Sequence, residues 1–455
     1  MNWVEDDSLA RFVSEVVDTF GNEGSLHGFY ARYRADGWGR AAYHPLLMIK
    51  VLLYGYCVGV RSSRKLARAV RDDVPMRFLA ANSQPDFRTI ATFRKNHLSE
   101  LDALFTQILV LCREAGLASL GRVALDGRKV RADAALDQNR TRESLEREVA
   151  RMLSEAEQLD SEEDARFGEA AGEELPAGLR SKEERLERLQ EARARLAAEE
   201  ERKREAQQEK IAAREADEER SGKKKRGRKP KPAEEVVDRE RKANTTDPDS
   251  RIMKSRRGWL QGYNCQAAAD CDSQVIVAKD VTRQENDVQQ LRPMLNLVEE
   301  QAGDMPEELL ADAGYWSEKN AAVENAGTEL FIATSKEWKQ RKAQRDTPTP
   351  AELPEEATLR ERMEHKLKTE RGKDAYKQRG CTIEPVFGQV EGRNLNHFLL
   401  RGMHKVRVEW SLFCTTHNLL KLWRSGSRPG ATSGPTAAAM QLQATSLGVT
   451  AVPAG

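Results

Sequence analysis

The sequence has no long apolar stretch, no paired cysteine motif and almost no net charge. No apolar run comes near the roughly 20 residues that a membrane-spanning helix needs, so we expect no membrane segment. The N-terminus, MNWVEDDSLARF, is acidic and lacks the basic and apolar regions of a signal peptide. Lys plus Arg (74) almost equal Asp plus Glu (73), so the net charge of +1 selects no particular partner. These absences exclude membrane and secreted proteins and favour a cytoplasmic one.

The six cysteines show no metal-binding pattern. None of them form a Cys-x-x-Cys pair, and no histidine stands at zinc-finger spacing from them, which disfavours a zinc site. In a reducing compartment we expect them to be small buried apolar side chains. They are Cys57, Cys112, Cys265, Cys271, Cys381 and Cys414.

Residues 1–118 predict an all-helical domain. Apolar residues recur there at helical spacing, and the segment 45–60 is apolar nearly throughout, as in a buried helix. Ser62 and Asp86 have side chains typical of helix N-caps. The predicted helices cover 9–20, 45–60, 62–73 and 86–117.

The polar faces of these helices are rich in basic side chains. Such a surface could bind the phosphates of a nucleic acid, whereas the simpler interpretation is a solvated helix face. The residues are Arg61, Arg64, Lys65, Arg68, Arg88, Arg94 and Lys95.

A strand and then a long charged insertion follow. In GRVALDGRKVRADA the residues Val-Ala-Leu lead directly into Asp126, as in a buried strand. Two apolar stripes in the insertion, 141–245, predict a helical hairpin or short coiled coil that turns within 168–176 and could help subunits pair. Its basic end, 221–235, predicts disorder. The stripes are Leu145, Val149, Met152, Ala156 and Leu159, and Leu179, Leu186, Leu189 and Leu196.

With the insertion removed, the remaining elements have the order of a known fold. The order is strand, two strands, helix, strand, helix, strand and helix, which is that of a ribonuclease-H-like mixed sheet flanked by helices, an α/β or α+β fold. We expect this domain to comprise 119–140 and 246–424, and the Gly- and Ser-rich tail 425–455 to be disordered. After the insertion, the predicted strands are 262–270, 274–282, 308–316 and 329–335, and the predicted helices are 287–303, 317–327, one carrying 376–393, and 407–423.

Three acids in this order can meet at one edge of the sheet. Asp126 and Asp312 each end a predicted strand, and Glu384 lies on a helix that packs beside them. Hard carboxylate oxygens are the ligands that Mg²⁺ prefers, and two such ions can stabilise the attacking and leaving oxygens when a phosphodiester is cut. Taken together, the acids predict a catalytic metal site.

Each acid taken alone has a simpler interpretation. Asp126, which precedes a glycine, could begin a turn. Asp312 could cap the following helix, and Glu384 could be an exposed helix charge.

The chain resembles the DDE transposases of bacterial insertion sequences from about residue 9 to 423. The resemblance is carried by several ordered blocks, which together are far more specific than any one of them. Within the family, the chain is most similar to the branch of the insertion-sequence-four and insertion-sequence-five groups, and there to the group named after insertion sequence eleven-eighty-two. The blocks are YHPLLMIKVLLYGYCVGVRSSRKLARAVRDDVPMRFLAA, ALDGRKVRADAA, TDPDSRIMKS with GYNCQAA, LADAGYWS, and YKQRGCTIEPVFGQVEGR with RGMHKVRVEWSLFCTTHNL.

The resemblance implies the roles of five residues. It implies that Asp126, Asp312 and Glu384 hold two Mg²⁺ ions, for which Mn²⁺ can substitute. It also implies that Tyr376 and Arg379 position DNA near the cut, Arg379 by pairing with a phosphate.

The sequence departs from the family pattern at one position. Family members commonly carry a basic residue seven positions after the third acid, where this chain has Glu391. The departure leaves Glu391 as a rival to Glu384 for the third position.

Two basic clusters predict further DNA contacts. The first, KKKRGRKPK, resembles the AT-hook of minor-groove binders, although Lys229 interrupts its Arg-Pro core. The alternative for this cluster is a solubilising linker. The second, RIMKSRRGW, precedes a predicted strand of the catalytic domain. The residues that we expect to contact DNA here are Lys224, Arg226, Arg228, Arg256 and Arg257.

These observations favour a transposase that cuts DNA at its element's terminal inverted repeats and joins the freed ends to target DNA. Such an enzyme would be located with the nucleoid in the cytoplasm and would act as a homodimer on DNA. Two alternatives stay open: a ribonuclease-H-like nuclease, and an inactive or repurposed copy that serves as a DNA-binding coiled-coil protein.

Overall fold

The structure is a computed structural model, and contacts within the chain divide it into two compact units. The first unit comprises Met1–Val130 and Tyr263–Gly455, and the second comprises Arg131–Gly262. The described residues are 3–33, 42–167, 177–222, 224, 229–233, 242–255, 258–323, 327–335 and 353–427, without the side chains of 153 and 156–184.

Helices and strands of the described residues follow the predicted order. The α-helices are α1 (Leu9–Asn22), α2 (Pro45–Cys57), α3 (Ser63–Asp72), α4 (Val74–Leu79), α5 (Phe87–Asn96), α6 (Leu98–Glu114), α7 (Arg142–Phe167), α8 (Ala177–Ser221), α9 (Leu291–Ala302), α10 (Glu318–Ala321), α11 (Leu359–Lys368), α12 (Glu370–Gly392) and α13 (Met403–Arg424). The strands are β1 (Arg122–Arg131), β2 (Asn139–Thr141), β3 (Lys242–Asn244), β4 (Arg251–Ser255), β5 (Gly258–Asp270), β6 (Ile276–Thr282), β7 (Glu308–Ala311) and β8 (Glu329–Ile332).

The predicted N-caps of the first helices are confirmed, but one predicted helix is two. The Ser62 hydroxyl accepts a hydrogen bond from the Lys65 amide (3.2 Å), and the Asp86 carboxylate accepts one from the Arg88 amide (2.7 Å). The helix predicted over 86–117 breaks at His97, whose backbone leaves the helical region. The His97 ring packs 4.6 Å from the Phe93 ring, which holds the break in the core.

Two arginines predicted to lie on the basic surface are buried instead, which corrects that prediction. Arg61 donates to the Glu409 carboxylate (2.9 Å) and to the Asn394 carbonyl (2.6 Å). Arg94 donates to the Ser63 hydroxyl (2.7 Å) and to the Arg61 carbonyl. Because both guanidinium groups are buried against these partners inside the protein, neither side chain belongs to the exposed basic surface.

Helix α13 forms the centre of the first unit. It packs against α2, α6 and β6, and almost all of its residues from Val406 to Leu422 are buried. The Trp410 indole donates to the Gln266 carbonyl of β5 (3.1 Å), and the Phe413 ring meets the Tyr56 ring edge-on at 5.2 Å. The N-terminal helices and the sheet therefore share this helix as a common core.

The main sheet has the order β6-β5-β1-β7-β8 in the first unit. Strands β1, β7 and β8 are parallel, and β5 and β6 form an antiparallel hairpin. The Cys271 amide donates to the Arg122 carbonyl and the Ala132 amide to the Gln261 carbonyl, so β5 is antiparallel to β1. This mixed sheet with flanking helices is compatible with the predicted ribonuclease-H-like fold.

The second unit contains the long helices of the insertion. Helices α7 and α8 pack on each other, β2 pairs with β3, and β4 pairs with the first residues of β5. The apolar cluster between them includes residues of both predicted stripes: Leu145, Val149, Leu189 and Leu196, with Met152 and Leu186 partly buried. The stripe side chains Ala156, Leu159 and Leu179, the turn 168–176, most of 221–235 and most of the tail lie outside the described residues.

Other predictions can be compared with the described residues. All six cysteines are free thiols, and each is buried except Cys381. No helix in the described ranges is both long and apolar enough to cross a membrane. The domain boundaries predicted from the sequence stay a prediction.

Candidate active site

Asp126 lies within β1, and Asp312 directly follows β7, the parallel strand beside it, so the prediction that Asp126 ends a strand is wrong. The register pairs Leu125 of β1 with Ala311 of β7, so each aspartate is the next residue after this pair. The apolar residues before both acids are buried and fix the strands in the core. Strand β1 continues to Arg131, so the Asp-Gly pair at 126 and 127 does not form a turn, and that simpler interpretation is wrong.

Asp126 lies in an environment that opposes its negative charge. Its side chain retains 24% of its exposure, its Oδ1 accepts from the Gly127 amide (2.8 Å), and its Oδ2 lies 3.4 Å from the Arg379 guanidinium. Burial and the nearby Asp312 charge raise the pKa of Asp126 to about 7, although Arg379 and the Gly127 hydrogen bond act in the opposite direction.

Asp312 begins a tight turn at the end of β7. Its Oδ1 accepts from the Gly314 amide (2.8 Å) and caps the single turn Ala313–Tyr315. The capping interpretation is thus confirmed, but for a short 3₁₀ turn rather than a helix. Capping uses one carboxylate oxygen and is compatible with a second role at the metal site.

A third aspartate, Asp287, lies beside these two and was missed by the sequence analysis. Its Oδ1 accepts from the Asn264 and Gln266 side-chain amides of β5, both at 2.7 Å. A Cβ atom built on Gly127 would overlap this oxygen, so the glycine after Asp126 is the residue that lets Asp287 approach. The signal in the sequence is the acid of ENDVQQ, where the sequence predicts a helix from 287, whereas α9 begins at Leu291.

Tyr315 is linked to Asp287 through Gln266 of β5. Its hydroxyl donates to the Gln266 Oε1, while the same amide donates from Nε2 to Asp287. Burial raises the pKa of Tyr315 well above its usual range, and the charges of the three aspartates, led by Asp287, raise it further. The tyrosine is therefore a neutral hydrogen-bond donor beside an acidic cluster.

Tyr376 and Arg379 lie on the buried face of α12. The Arg379 guanidinium packs over the Tyr376 ring, 5.4 Å from its centroid, and reaches Asp126. Both side chains are buried, at 7% and 4% exposure. The structure thus brings Arg379 to the first acid, while its predicted contact with a DNA phosphate stays a prediction.

Glu384 and Glu391 also lie on α12. Glu384 is exposed, and Glu391 forms an ion pair with Arg128, two residues after Asp126 on β1. Seven residues correspond to about 700°, so the two glutamates lie within about 20° of each other around the helix axis. Five residues place Glu384 about 140° around the helix from Arg379.

The carboxylates of Asp126 and Asp312 suit a hard divalent cation. Asp126 and Asp312 offer carboxylate oxygens, and a cation there would offset the repulsion that raises the pKa of Asp126. Within the described part of the chain, however, no three acid, His or Cys side chains are grouped closely enough to hold an ion. The predicted third ligand is therefore not placed with the other two.

The basic residues predicted to contact DNA lie mostly outside the described residues. Of them, Lys224 is exposed, and Arg226, Arg228, Arg256 and Arg257 lie outside the described residues. On the described part of β4, Lys254 is exposed.

Comparison with known protein families gives two matches. A transposase domain (DUF772) matches residues 1–96, and a transposase DDE domain matches residues 334–423, which include Tyr376, Arg379 and Glu384. No curated protein and no solved structure matches the chain. The two domain matches support a DDE transposase and hence a role in DNA transposition, whereas the branch within the insertion sequences stays a prediction.

Proposed function

We propose that this protein is the transposase of a DNA element, which cuts the DNA at the element's ends and joins the ends to target DNA. The proposal rests on one observation above the others. Asp126, inside β1, and Asp312, directly after β7, follow a pair of residues matched across these parallel strands, and Arg379, from the segment that matches a transposase DDE domain, lies against Asp126.

In this proposal Asp126 and Asp312 hold divalent cations, Mg²⁺ or Mn²⁺, with Glu384 as the third acid. DDE transposases generally use divalent metal ions. When bound, two such cations would activate water or a 3′-hydroxyl and stabilise the leaving oxygen of the phosphodiester. The protein's part is to fix the two aspartates on adjacent strands and to keep their carboxylates oriented through the Gly127 and Gly314 amides.

The helix geometry supports Glu384 as a candidate third acid. Asp126 and Arg128 are two residues apart on β1 and so point to the same side of the sheet. Both have partners on α12, Asp126 in Arg379 and Arg128 in Glu391. Glu384 lies between these two partners along the helix, on the face shared with Glu391.

Arg379 has two successive tasks in this proposal. Against Asp126 it lowers the pKa of that carboxyl group and so favours its ionised form before a cation binds. Once cations neutralise the acids, its guanidinium can pair with a phosphate of the strand that is cut. The Tyr376 ring beneath it holds its position.

Recognition of the element's ends falls to surfaces outside the site. We propose that the N-terminal helices, which match a transposase domain, and the basic clusters around 224 and 256 bind DNA through its phosphates. Two ends must be cut together, so we propose a homodimer on DNA at the nucleoid.

The test is cleavage of a plasmid that carries the element's own ends, with Mg²⁺ or Mn²⁺. The parent is compared with Asp126→Asn, Asp312→Asn, Glu384→Gln and Glu391→Gln. We expect the first three variants to bind the ends but not to cut, and Glu391→Gln to cut. If Glu391→Gln is inactive and Glu384→Gln is active, the third acid is Glu391. A parent that binds the ends and never cuts with either metal would contradict the transposase and favour a DNA-binding protein.

A further inference from the structure

Asp287 is an acid at the proposed active site that belongs to neither the predicted triad nor a stabilising ion pair with a described base. We propose that Asp287 is a positioning residue of this site, whose negative charge sets the affinity for the divalent cation held by Asp126 and Asp312. This inference rests on the proposed metal site.

The hydrogen bonds of Asp287 fix the direction of its carboxylate. Two amide N–H donors, from Asn264 and Gln266, both reach Oδ1 at 2.7 Å. With Oδ1 held in this way, Oδ2 lies toward Gly314, 3.5 Å from the position of a Cβ built on that glycine.

Two glycines allow the close approach of Asp287 to the strand ends. Gly127 follows Asp126 directly, and Gly314 is two residues after Asp312. A Cβ atom on Gly127 would overlap Asp287 Oδ1, and one on Gly314 would lie 2.9 Å from Asp312 Oδ1 and 3.7 Å from Asp287 Cβ. Asp287 thus packs against the residues next to both proposed ligands.

The electrostatic effects agree with this placement. The charge of Asp287 contributes to the raised pKa of Asp126 and is the largest charge effect on Tyr315. Because two amide groups already occupy its Oδ1, we assign Asp287 a role through its charge and not as a ligand. Outer groups that fix and polarise a metal site typically change its affinity about 10–100-fold when they are altered.

The same side chain also holds the loop between β6 and α9 to the sheet. Asn264 donates to the Gln284 carbonyl as well as to Asp287, and Gln266 links Asp287 to Tyr315. Removing the whole side chain would therefore disturb the loop as well as the charge. Asp287→Asn is the better variant, because its amide oxygen can accept from the same two donors while the charge is lost.

The experiment measures Mn²⁺ binding by the full chain without DNA, by calorimetry and by the free-Mn²⁺ EPR signal. The variants are Asp287→Asn, Asp126→Asn and, as a matched control, Asp304→Asn. Asp304 is an exposed aspartate that precedes the first residue of β7, whereas Asp312 follows the last. Its substitution therefore removes one negative charge at a distance from the site. We expect Asp287→Asn to weaken Mn²⁺ binding about tenfold or more, and Asp304→Asn to leave it unchanged.

Urea unfolding in EDTA distinguishes the effect of the lost charge of Asp287 from an effect on folding. Asp287→Asn should be at least as stable as the parent without metal, because one of three neighbouring negative charges is removed. Unchanged Mn²⁺ affinity would overturn the inference, as would a parent that binds no Mn²⁺, or a loss of affinity that only accompanies a lower unfolding midpoint.

Failure of this inference and failure of the proposed function give different results in the Mn²⁺-binding and DNA-cleavage experiments. If the parent cuts its element's ends and Asp287→Asn binds Mn²⁺ as the parent does, the inference fails and the transposase stands. If the parent binds Mn²⁺ in a manner that depends on Asp287 but never cuts DNA, the inference stands and the proposed function fails.

Discussion

The Gln274 side chain donates a hydrogen bond to the carbonyl oxygen of Cys381, at 3.1 Å. Helix α12 needs this partner because Pro385, four residues on, has no N–H group to donate to that carbonyl. Gln274 lies in the turn between β5 and β6 with a φ of 63°. The turn therefore supports the helix beside Glu384 at the point where proline interrupts its hydrogen bonds.

Gln274→Ala should destabilise the protein by about 1 kcal/mol, because the Cys381 carbonyl loses its donor. Gln389→Ala is the matched control, since Gln389 donates to the same Gln274 side chain but leaves the Cys381 carbonyl bonded. The measurement is urea unfolding of both variants. Equal losses in the two would show that the contact with Cys381 has no separate value.

Glu409→Ala should destabilise the protein by about 3–5 kcal/mol, because it leaves the Arg61 guanidinium buried without its ion pair. The two side chains are 0% and 6% exposed and lie 2.9 Å apart. Lys373→Ala, which removes an exposed cation paired with Glu370 at a helix surface, should cost less than about 1 kcal/mol. The measurement is unfolding of both variants in guanidinium chloride. Similar losses of unfolding free energy in the two would contradict this expectation.

Gly127→Ala should destabilise the protein by about 1–3 kcal/mol and reduce cleavage, because the new methyl group overlaps Gln266 and Asp287. Gly388→Ala is a fitting comparison, because a methyl group on this exposed helical glycine meets nothing within 4 Å. That variant should be neutral or stabilised by up to about 1 kcal/mol. Thermal unfolding and cleavage assays measure both, and an unaffected Gly127→Ala would show that the loop with Asp287 gives way easily.

Without divalent metal, the contribution of Asp126 to the free energy of unfolding should fall as the pH rises from about 4 to about 7. The pKa of Asp126 is raised from 3.8 to about 7, so in this range the folded protein binds more protons than the unfolded chain. Asp126→Asn lacks this effect. The measurement is the free energy of unfolding of variant and parent in urea with EDTA. The difference, variant minus parent, should be more positive at about pH 8 than at about pH 4, by a few kcal/mol at most. A pH-independent difference would contradict the raised pKa.

Much of the site could be predicted because local patterns carry it. The apolar residues before Asp126 and Asp312 mark buried strands, and the parallel register of β1 and β7 brings the residues after Leu125 and Ala311 close together. The conformation of the 126–127 pair was harder to predict, because Asp-Gly is also a common turn pair. Only pairing across the sheet shows that β1 runs straight through it.

The burial of Arg61 and the position of Asp287 could not be predicted, because they depend on partners elsewhere in the chain. Arg61 looks like a surface base on its own helix, and its partner Glu409 lies 348 residues away. Asp287 reads as the first residue of a helix, although α9 begins at Leu291 and the carboxylate turns to β5 instead. No local periodicity encodes either of these contacts.

The central position of α13 has a consequence for the order of events during synthesis. The parts of α2, α6 and β6 that pack on α13 stay uncovered until residues beyond about 400 have left the ribosome. Asp126 and Asp312 are therefore synthesised well before the core around them can form. Nascent chains would therefore acquire an ordered acidic site only near the close of translation, and products that stop before Met403 would be targets for chaperones and proteases rather than active enzymes.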